Sequence, residues 1–272
     1  MMKILLKTLM TLLPLALVYG CATEEVSLPT NGTTELSVGF ENRTSLGEVT
    51  DGVRHLYWSA GDMLSANGHT SQPLAESFEG STSATFKFDA LLNRPLKLLY
   101  PSSIYKDEET ITLTNKRNAL ASDIDAPMYA YVESGNIKMK HLCGMVRISI
   151  RGKEKLKNIN YISFIGGEKE VVAGDFTIDY QSGEIAPAVG GKAYKEVRAA
   201  VYQPLSTEYV VDAFIVVPAR IYNSGFTIRI VNENGQYQDC KSQRSQTIEK
   251  GQILAMPEVE FVPTGTIFDV LI

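Results

Sequence analysis

The acidic residues that could take part in catalysis are scattered along this chain of 272 residues. Asp62 and Asp175 each follow a glycine, and Asp beside Gly is typical of a turn, so we predict a turn at both positions. Asp123 and Asp125 in DIDAP could bind calcium weakly, but the segment lacks the Gly and the distal Glu of a calcium-binding loop, which favours a solvated loop. The notable catalytic signatures (G-x-S-x-G, a phosphate-binding loop, H-E-x-x-H, and G-x-G-x-x-G opening a helix) are missing from the sequence. We therefore predict a protein that is not an enzyme and has no cofactor.

Cysteines and histidines are few and do not suggest a metal site. Neither Cys143 nor Cys240 has a histidine at a spacing typical of zinc ligands, so no metal is predicted. Cys143 lies in the apolar run HLCGMVRISI, and free cysteines are commonly buried. An exported protein could also form a disulfide between these two residues. Unpaired thiols are the favoured alternative.

The first residues have the organisation of a secretion signal. Two lysines precede an apolar run, Thr8 to Val18, that is shorter than the about 20 residues needed to span a bilayer. The following Val18-Tyr19-Gly20-Cys21 resembles the lipobox of bacterial lipoproteins. We therefore predict a signal peptide over residues 1–20, lipidation with palmitate at Cys21, and a flexible polar tether over 21–35. A soluble secreted protein is the alternative.

The charge of the chain argues against nucleic acid as a partner. Removal of the two lysines of the signal peptide changes the formal net charge from −5 to −7. Nucleic-acid binding depends on clustered Lys and Arg, which a mildly acidic protein does not favour. After the signal peptide, no apolar run is long enough to cross a membrane as a helix.

Alternating apolar and polar residues predict an all-β protein. In SATFKFDA, for example, Ala84, Phe86 and Phe88 share one face of the predicted strand. Hairpins are predicted at QSGEIAP and at Asn234-Gly235, where a type I′ turn is expected. At most one short helix fits KRNALASDIDAPM. Short strands at intervals of roughly 8 to 12 residues are typical of β-sandwiches.

A turn at residues 134–136 separates a loop-rich first half from a second half that is dense in strands. Each half is long enough for a sandwich of several strands. We therefore predict an N-terminal β-sandwich over residues 36–136, a C-terminal β-sandwich over 137–262, and a β-prone tail over 263–272.

The only tryptophan, Trp58, stands beside Tyr57 in LYWSAGD. If both rings are exposed, they could form a platform for sugar stacking, which makes Trp58 a candidate ligand contact. On an alternating strand, one of the two rings should face the core, and a buried Trp58 is favoured.

Several motifs, in their order and spacing, resemble those of fimbrillin-like proteins, the lipoproteins that build or decorate pili of Bacteroidales-type bacteria. The resemblance extends from about residue 36 to 262. It rests on YWSAGDMLSANG, FEGSTSATFKFDA followed by LLYPSS, DIDAPMYA followed by IKMKHLCGMVRISIRG, GDFTIDYQSGEI, and YQPLS.

The resemblance implies two tandem transthyretin-like β-sandwich domains. It implies export to the cell surface and attachment to outer-membrane lipid through Cys21, and the acidic Glu24 and Glu25 look like a surface-export signal. It also implies strand exchange between subunits after proteolytic cleavage at a basic residue, for which Arg43 is the candidate. Alternatively, Arg43 is an ordinary solvated loop residue.

The C-terminal tail VPTGTIFDVLI is apolar and β-prone, which makes it a candidate donor strand. Its candidate contacts are Ile267, Phe268, Val270 and Ile272. The tail could instead complete the sheet of its own chain.

Two functions follow from the sequence. The first is a structural or adhesive subunit of a pilus (fimbria), whose partners are other pilus subunits and host or bacterial surface ligands. The second is a surface lipoprotein that binds glycans.

Overall fold

The computed structural model describes residues 32–41, 49–50, 53–54, 56–120, 126–153, 158–168 and 170–267. The predicted signal peptide, Cys21, Arg43, and the DIDAP carboxylates Asp123 and Asp125 lie outside these ranges. Within them, no helix has the length and apolar character needed to cross a membrane.

Strands dominate the described part of the chain, as the alternation predicts. The strands that precede Leu142 are β1 (Thr34–Phe40), β2 (Val49–Thr50), β3 (Val53–Arg54), β4 (Ser65–Ala66), β5 (His69–Thr70), β6 (Ser83–Phe88), β7 (Leu96–Tyr100), β8 (Thr110–Leu113), β9 (Lys116–Asn118), β10 (Met128–Val132) and β11 (Ile137–His141). Two short 3₁₀ helices, Glu76–Phe78 and Ser102–Ile104, lie among them.

The strands that follow Leu142 are longer. They are β12 (Cys143–Gly152), β13 (Ile159–Gly166), β14 (Ala173–Asp179), β15 (Glu184–Pro187), β16 (Ala193–Tyr194), β17 (Glu196–Gln203), β18 (Val211–Pro218), β19 (Arg220–Tyr222), β20 (Phe226–Asn232), β21 (Gln236–Ser242), β22 (Gln246–Ile248), β23 (Ile253–Ala255), β24 (Val259–Phe261) and β25 (Gly265–Thr266).

The first sheet has seven strands in the order β5-β4-β7-β10-β11-β1-β6. Its buried side chains form one apolar cluster, to which β1 and β6 at one end of the sheet and β7 and β10 further along all contribute. Ala84, Phe86 and Phe88 are all buried in this cluster, which confirms the predicted face of β6.

The second half of the chain forms a β-sandwich. One sheet contains β18-β12-β23, with β24 also paired to β12, and the other has the order β25-β21-β20-β13-β17-β9. Their facing side chains, among them Val146, Ile148 and Phe164, form a second apolar cluster. The predicted all-β, sandwich-like architecture is therefore confirmed.

Two strands from the first half of the sequence pair with strands of the second half. β8 is antiparallel to β14, with Gly174 opposite Leu113, and β9 is parallel to β17. Conversely, β11 belongs to the first sheet, where it lies between β10 and β1. The predicted division between residues 136 and 137 therefore falls inside a hairpin of the first sheet, and every strand after His141 lies outside that sheet.

The Asn-Gly pairs at 67–68 and 234–235 form different turns. At Asn234-Gly235, β20 and β21 form the predicted hairpin, but Asn234 does not have a positive φ. Gly235 donates to the carbonyl of Asn232 at 3.0 Å and has φ +74°, as in a type I turn followed by a left-handed glycine, so the predicted type I′ turn is wrong there. The pair Asn67-Gly68, with φ values of +47° and +83°, joins β4 to β5 as a type I′ turn does.

The segment KRNALASDIDAPM begins as a strand rather than a helix. Lys116–Asn118 is β9, because Arg198–Ala200 of β17 offer it a free edge with which to pair. The hairpin predicted at QSGEIAP is confirmed as β14–β15, with Asp179 opposite Glu184.

Candidate functional site

Strand β1 lies between β11 and the edge strand β6 of the first sheet. It pairs with β6 over six residue pairs, from Thr34 opposite Phe88 to Gly39 opposite Ser83. On its other side, it runs parallel to β11, with Val38 opposite Ile137. β1 therefore has a hydrogen-bonded neighbour on each side, although it is the first described strand of the chain.

The side chains of β1 alternate between core and solvent, which fixes its register. Leu36 and Val38 are buried, whereas Glu35 and Ser37 are exposed. The Thr34 hydroxyl donates to the carbonyl of Ala90 at 2.8 Å, and it accepts the N–H of Leu92 at 3.0 Å. Burial of two aliphatic side chains contributes about 3–6 kcal/mol, so β1 is a substantial part of this core.

Trp58 packs against the C-terminal end of β1. Only 1% of its surface is exposed, its ring centroid lies 4.4 Å from that of Phe40, and its indole Nε1 donates to the carbonyl of Val38 at 3.1 Å. The favoured buried position is confirmed, and its burial contradicts the use of Trp58 as a ligand contact. Tyr57 points outward and is 51% exposed.

The two aspartates that follow glycine have different environments. Asp62 closes the predicted turn, since its N–H donates to the carbonyl of Ser59 at 3.1 Å and its Oδ2 accepts the N–H of Ser59 at 2.8 Å. Asp175 lies within β14 and is only 4% exposed, so the predicted turn is wrong at that position. Gly174, at φ +110°, passes so close to the carbonyl of Lys192 that a Cβ would collide with it.

Three donors surround the Asp175 carboxylate. Lys106 Nζ lies 2.8 Å from Oδ2, the N–H of Lys192 lies 2.9 Å from Oδ2, and the Thr112 hydroxyl lies 2.7 Å from Oδ1. These hydrogen bonds, with that from Lys106 the largest contribution, hold the pKa of Asp175 well below its usual range. Because Lys106 and Thr112 come from the first half of the chain, this carboxylate ties β8 and its preceding loop to β14.

The two remaining cysteines are free thiols, as favoured from the sequence. Cys143 is buried at the start of β12, and this burial raises the pKa of its thiol to about 11. Cys240 is half-buried on β21. In the part of the chain that the structure describes, no group of three or more His, Cys, Asp or Glu residues could hold a metal ion.

The tail begins as an additional strand of its own sheet. β25 pairs antiparallel with β21, and the N–H of Ile267 donates to the carbonyl of Gly235 at 2.7 Å. The half-buried Ile267 is therefore placed at the sheet edge, next to the β20–β21 hairpin. Phe268, Val270 and Ile272 lie outside the described residues.

Comparison with known proteins gives a structural match. No protein-family model matches the chain, and neither does any curated protein sequence. A "putative cell adhesion protein" from Bacteroides ovatus matches over 82% of this chain and 92% of its own, with 11% identity and a TM-score of 0.52. The chain has the fold of that protein. This fold agrees with the resemblance to fimbrillin-like proteins that the motifs indicate.

Two further solved structures are similar over most of their length. A "putative cell adhesion protein" from Bacteroides uniformis is 12% identical, covers 84% of this chain and 94% of its own, and has a TM-score of 0.49. The tip fimbrial protein Mfa3 from Porphyromonas gingivalis, with a C-terminal truncation, is 11% identical, covers 85% and 96%, and has a TM-score of 0.38.

The predicted site residues do not gather at one place. Trp58 lies beneath β1 in the first sheet, whereas Ile267 lies at the edge of the second sandwich. Sequence reasoning missed the role of Asp175, because its three donors come from positions 69, 63 and 17 residues away. The one available signal was that Asp175 lies within an alternating segment, VVAGDFTIDY, that continues on both sides of the Gly-Asp step.

Proposed function

We propose that this protein is a structural or adhesive subunit of a cell-surface pilus, assembled by strand exchange between subunits. The observation that carries the proposal is the position of β1, which lies between β6 and β11 and buries Leu36 and Val38. Removal of such a strand leaves unpaired backbone groups on both neighbours and an apolar groove between them. An incoming strand with the same alternation can satisfy both.

A cut at Arg43 would separate β1 from the rest of the chain. Glu41 is the last described residue before that position, and its N–H still donates to the carbonyl of Met139 at 3.0 Å. The proposed cleavage point thus follows β1 by only a few residues. The fold shared with the cell adhesion protein from Bacteroides ovatus supports an adhesive role.

The tail supplies a donor strand with a suitable pattern. Phe268, Val270 and Ile272 alternate with Asp269 and Leu271. This period of two matches the buried positions of β1, as a replacement strand requires. We propose that these residues enter the groove of a neighbouring subunit, while Ile267 remains at the edge of its own sheet.

The proposal includes an outer-membrane lipoprotein at the cell surface, attached through Cys21, and two tandem transthyretin-like domains. An apolar cluster within the first sheet and another between the two sheets of the second sandwich support the two-domain organisation, and a third cluster, which includes Leu99 and Phe176, joins the two halves. Given the chain path, we propose that the domains divide after His141. A cut at Arg43 would release the lipid anchor from a stalk subunit, whereas an anchor subunit would keep it.

The experiment compares the full-length chain with three variants in a Bacteroidales-type host: Arg43→Ala, Arg54→Ala as the matched control, and a deletion of residues 263–272. Surface extracts are analysed for SDS-resistant ladders and by electron microscopy, and the mature N-terminus is determined by mass spectrometry. We expect wild type and Arg54→Ala to begin at Thr44 and to form ladders. We expect Arg43→Ala to begin at Cys21, and both Arg43→Ala and the deletion to remain monomeric.

Two results would contradict the proposal. Ladders formed by the tail deletion would exclude the tail as the donor. Wild-type protein that begins at Cys21 and never polymerises would exclude the stalk role and leave an anchor or the glycan-binding alternative. That alternative has lost its original support, since Trp58 is buried.

A further inference from the structure

A cleft distant from β1 lies where the first sheet meets β14. Its walls are the Asn67-Gly68 turn, Lys97 on β7, Tyr105 after the second 3₁₀ helix, and Tyr180 at the end of β14. The cleft has a volume of about 210 Å³. An adjoining depression of about 330 Å³ shares Lys97, Glu108 and Tyr180 with it, so the two form one continuous groove.

The rim of this cleft is held in place without a ligand. The Asn67 side chain donates to the carbonyls of Asn93 at 2.8 Å and Pro95 at 3.3 Å, and it accepts the N–H of Lys97 at 2.8 Å. The type I′ turn is therefore fixed to β7. A binding site whose walls are already ordered loses less conformational entropy when the ligand arrives.

Glycine at position 68 lets Tyr105 approach the turn. A Cβ at this position would lie 2.8 Å from the Tyr105 hydroxyl oxygen and 3.3 Å from the adjacent ring carbon. Any side chain there would thus push Tyr105 away. The close approach places an aromatic ring and its hydroxyl on the wall of the cleft, which Tyr180 also lines.

The side chains of the cleft suit a ligand that has both apolar faces and hydroxyl groups. The half-buried ring of Tyr105 offers a face against which C–H groups can pack. Lys97 can only donate hydrogen bonds and the Glu108 carboxylate can only accept them, whereas a sugar hydroxyl does both. Burial raises the pKa of Tyr180, so its hydroxyl stays protonated and can donate at neutral pH.

Charged ligands fit less well. Lys97 Nζ lies 5.4 Å from the centroid of the Tyr180 ring. The lysine therefore occupies the position over this ring at which a cationic group of a ligand could bind. Glu108, Glu109 and Asp179 line the groove around this one lysine, and they would repel a carboxylate or sulfate group. The positions of Lys97 and of the three carboxylates therefore favour an uncharged ligand.

We propose that this cleft binds an uncharged saccharide unit of an extracellular glycan. The inference rests on the surface location in the proposed function, but it does not require polymerisation. The cleft is built by residues other than Trp58, and it lies away from the strand-exchange groove.

The test uses the purified full-length chain in detergent. Binding of uncharged oligosaccharides built from glucose, galactose, mannose or N-acetylhexosamines is measured by saturation-transfer NMR and by titration. Sialyllactose serves as the anionic probe and trilysine as the cationic probe. We expect an uncharged oligosaccharide to bind, and both charged probes to bind more weakly.

Two cleft positions are varied: Glu108 is exposed, whereas Tyr105 is half-buried, so the thermal unfolding of each variant is compared with that of wild type. Tyr105→Ala and Glu108→Gln should each weaken binding about tenfold, as expected for loss of a stacking contact or a hydrogen bond to a charged group. Tyr57→Ala and Tyr202→Ala are matched controls, since these rings are 51% and 72% exposed and line neither part of the groove. Both controls should bind like wild type.

The proposal is overturned if no uncharged oligosaccharide of the panel binds. It is equally overturned if the two cleft variants bind like wild type, or if a charged probe binds more tightly. Ladder formation, measured on the same variants in the host, reports on the pilus role independently. Tyr105→Ala should bind the saccharide about tenfold more weakly and still form ladders, so failure of one proposal is distinguishable from failure of the other.

Discussion

The Asp175 carboxylate gives the sharpest prediction for stability. Replacement by Asn preserves its size but removes the charge that Lys106 Nζ contacts at 2.8 Å. An amide oxygen can still accept from one of the other two donors, Thr112 or Lys192. The substitution therefore tests the charged interaction in a site that remains packed.

The expected loss follows from the contacts. A hydrogen bond to a charged group contributes about 1.5–3 kcal/mol. Lys106 is 45% exposed and regains water when its partner is neutral, so the lower half of that range applies. We expect Asp175→Asn to lower the free energy of unfolding by about 2 kcal/mol at pH 7. For a domain of 150–250 residues, this corresponds to a decrease in Tm of about 4–8 °C.

The pH dependence gives an independent readout. The pKa of Asp175 is depressed in the folded state, so the unfolded chain takes up the proton at higher pH, near its ordinary value of about 3.9. The contribution of Asp175 is thus complete above that value, and it is lost as the pH falls through the folded pKa. Wild type should lose stability below about pH 4 more steeply than Asp175→Asn.

Urea denaturation followed by fluorescence, at pH 7 and at pH 3, measures both effects. A double-mutant cycle with Lys106→Met should give a coupling energy of about 1 kcal/mol, because the lysine is partly exposed. Asp89→Asn is the control, since Asp89 is exposed and, among the described residues, accepts from the side chain of Gln72 alone. If Asp175→Asn changes the free energy of unfolding no more than this control does, the argument for a stabilising carboxylate fails.

Three further predictions concern other parts of the fold. Gly183→Ala should lower the Tm more than Gly190→Ala does. Both glycines have φ near +70°, but only a Cβ at position 183 would collide with the ring of Tyr129, and this collision should cost about 1–3 kcal/mol of stability. Equal decreases in Tm would refute the contact. Leu36→Ala should cost about 2–5 kcal/mol in urea denaturation and the exposed Ser37→Ala less than about 0.5, unless β1 contributes little to the core. Burial lowers the pKa of His141 to about 4, so between about pH 6.5 and pH 4 the unfolded state binds more protons than the folded state. The free energy of unfolding should therefore decrease as the pH is lowered through that window, and it should decrease less in His141→Gln. Parallel pH profiles of the two proteins would contradict this.

The sequence was sufficient to predict several strands and the faces that they bury. Alternation is a local property, so β1, β6 and the β14–β15 hairpin could be assigned from a few neighbouring residues. Strand pairing is not a local property, since apolar residues at every second position do not specify which strand will pair with a given edge. The pairing of β8 with β14 could not be derived in this way.

The turns and the sites show a similar limit. Asn-Gly is a signal for a two-residue hairpin, yet at Asn234 the chain uses a three-residue loop, because the register of β20 and β21 places Val231 opposite Tyr237. The burial of Asp175 overrides the local preference of Gly-Asp for a turn. The cleft could not be predicted, because Asn67, Tyr105 and Tyr180 become neighbours only in the folded chain.

The pairing of β8 with β14 has a mechanical consequence. After β7, the chain leaves the first sheet, pairs with β14 as β8 and with β17 as β9, and then returns to the first sheet as β10. Under tension, the two halves cannot separate until the β8 ladder and the Lys106–Asp175 contact have broken. By the same geometry, a fragment that begins at Leu142 would expose the bare edges of β14 and β17 to other chains. The two halves of this protein therefore share strands, and we expect force applied across them to be resisted by both ladders together.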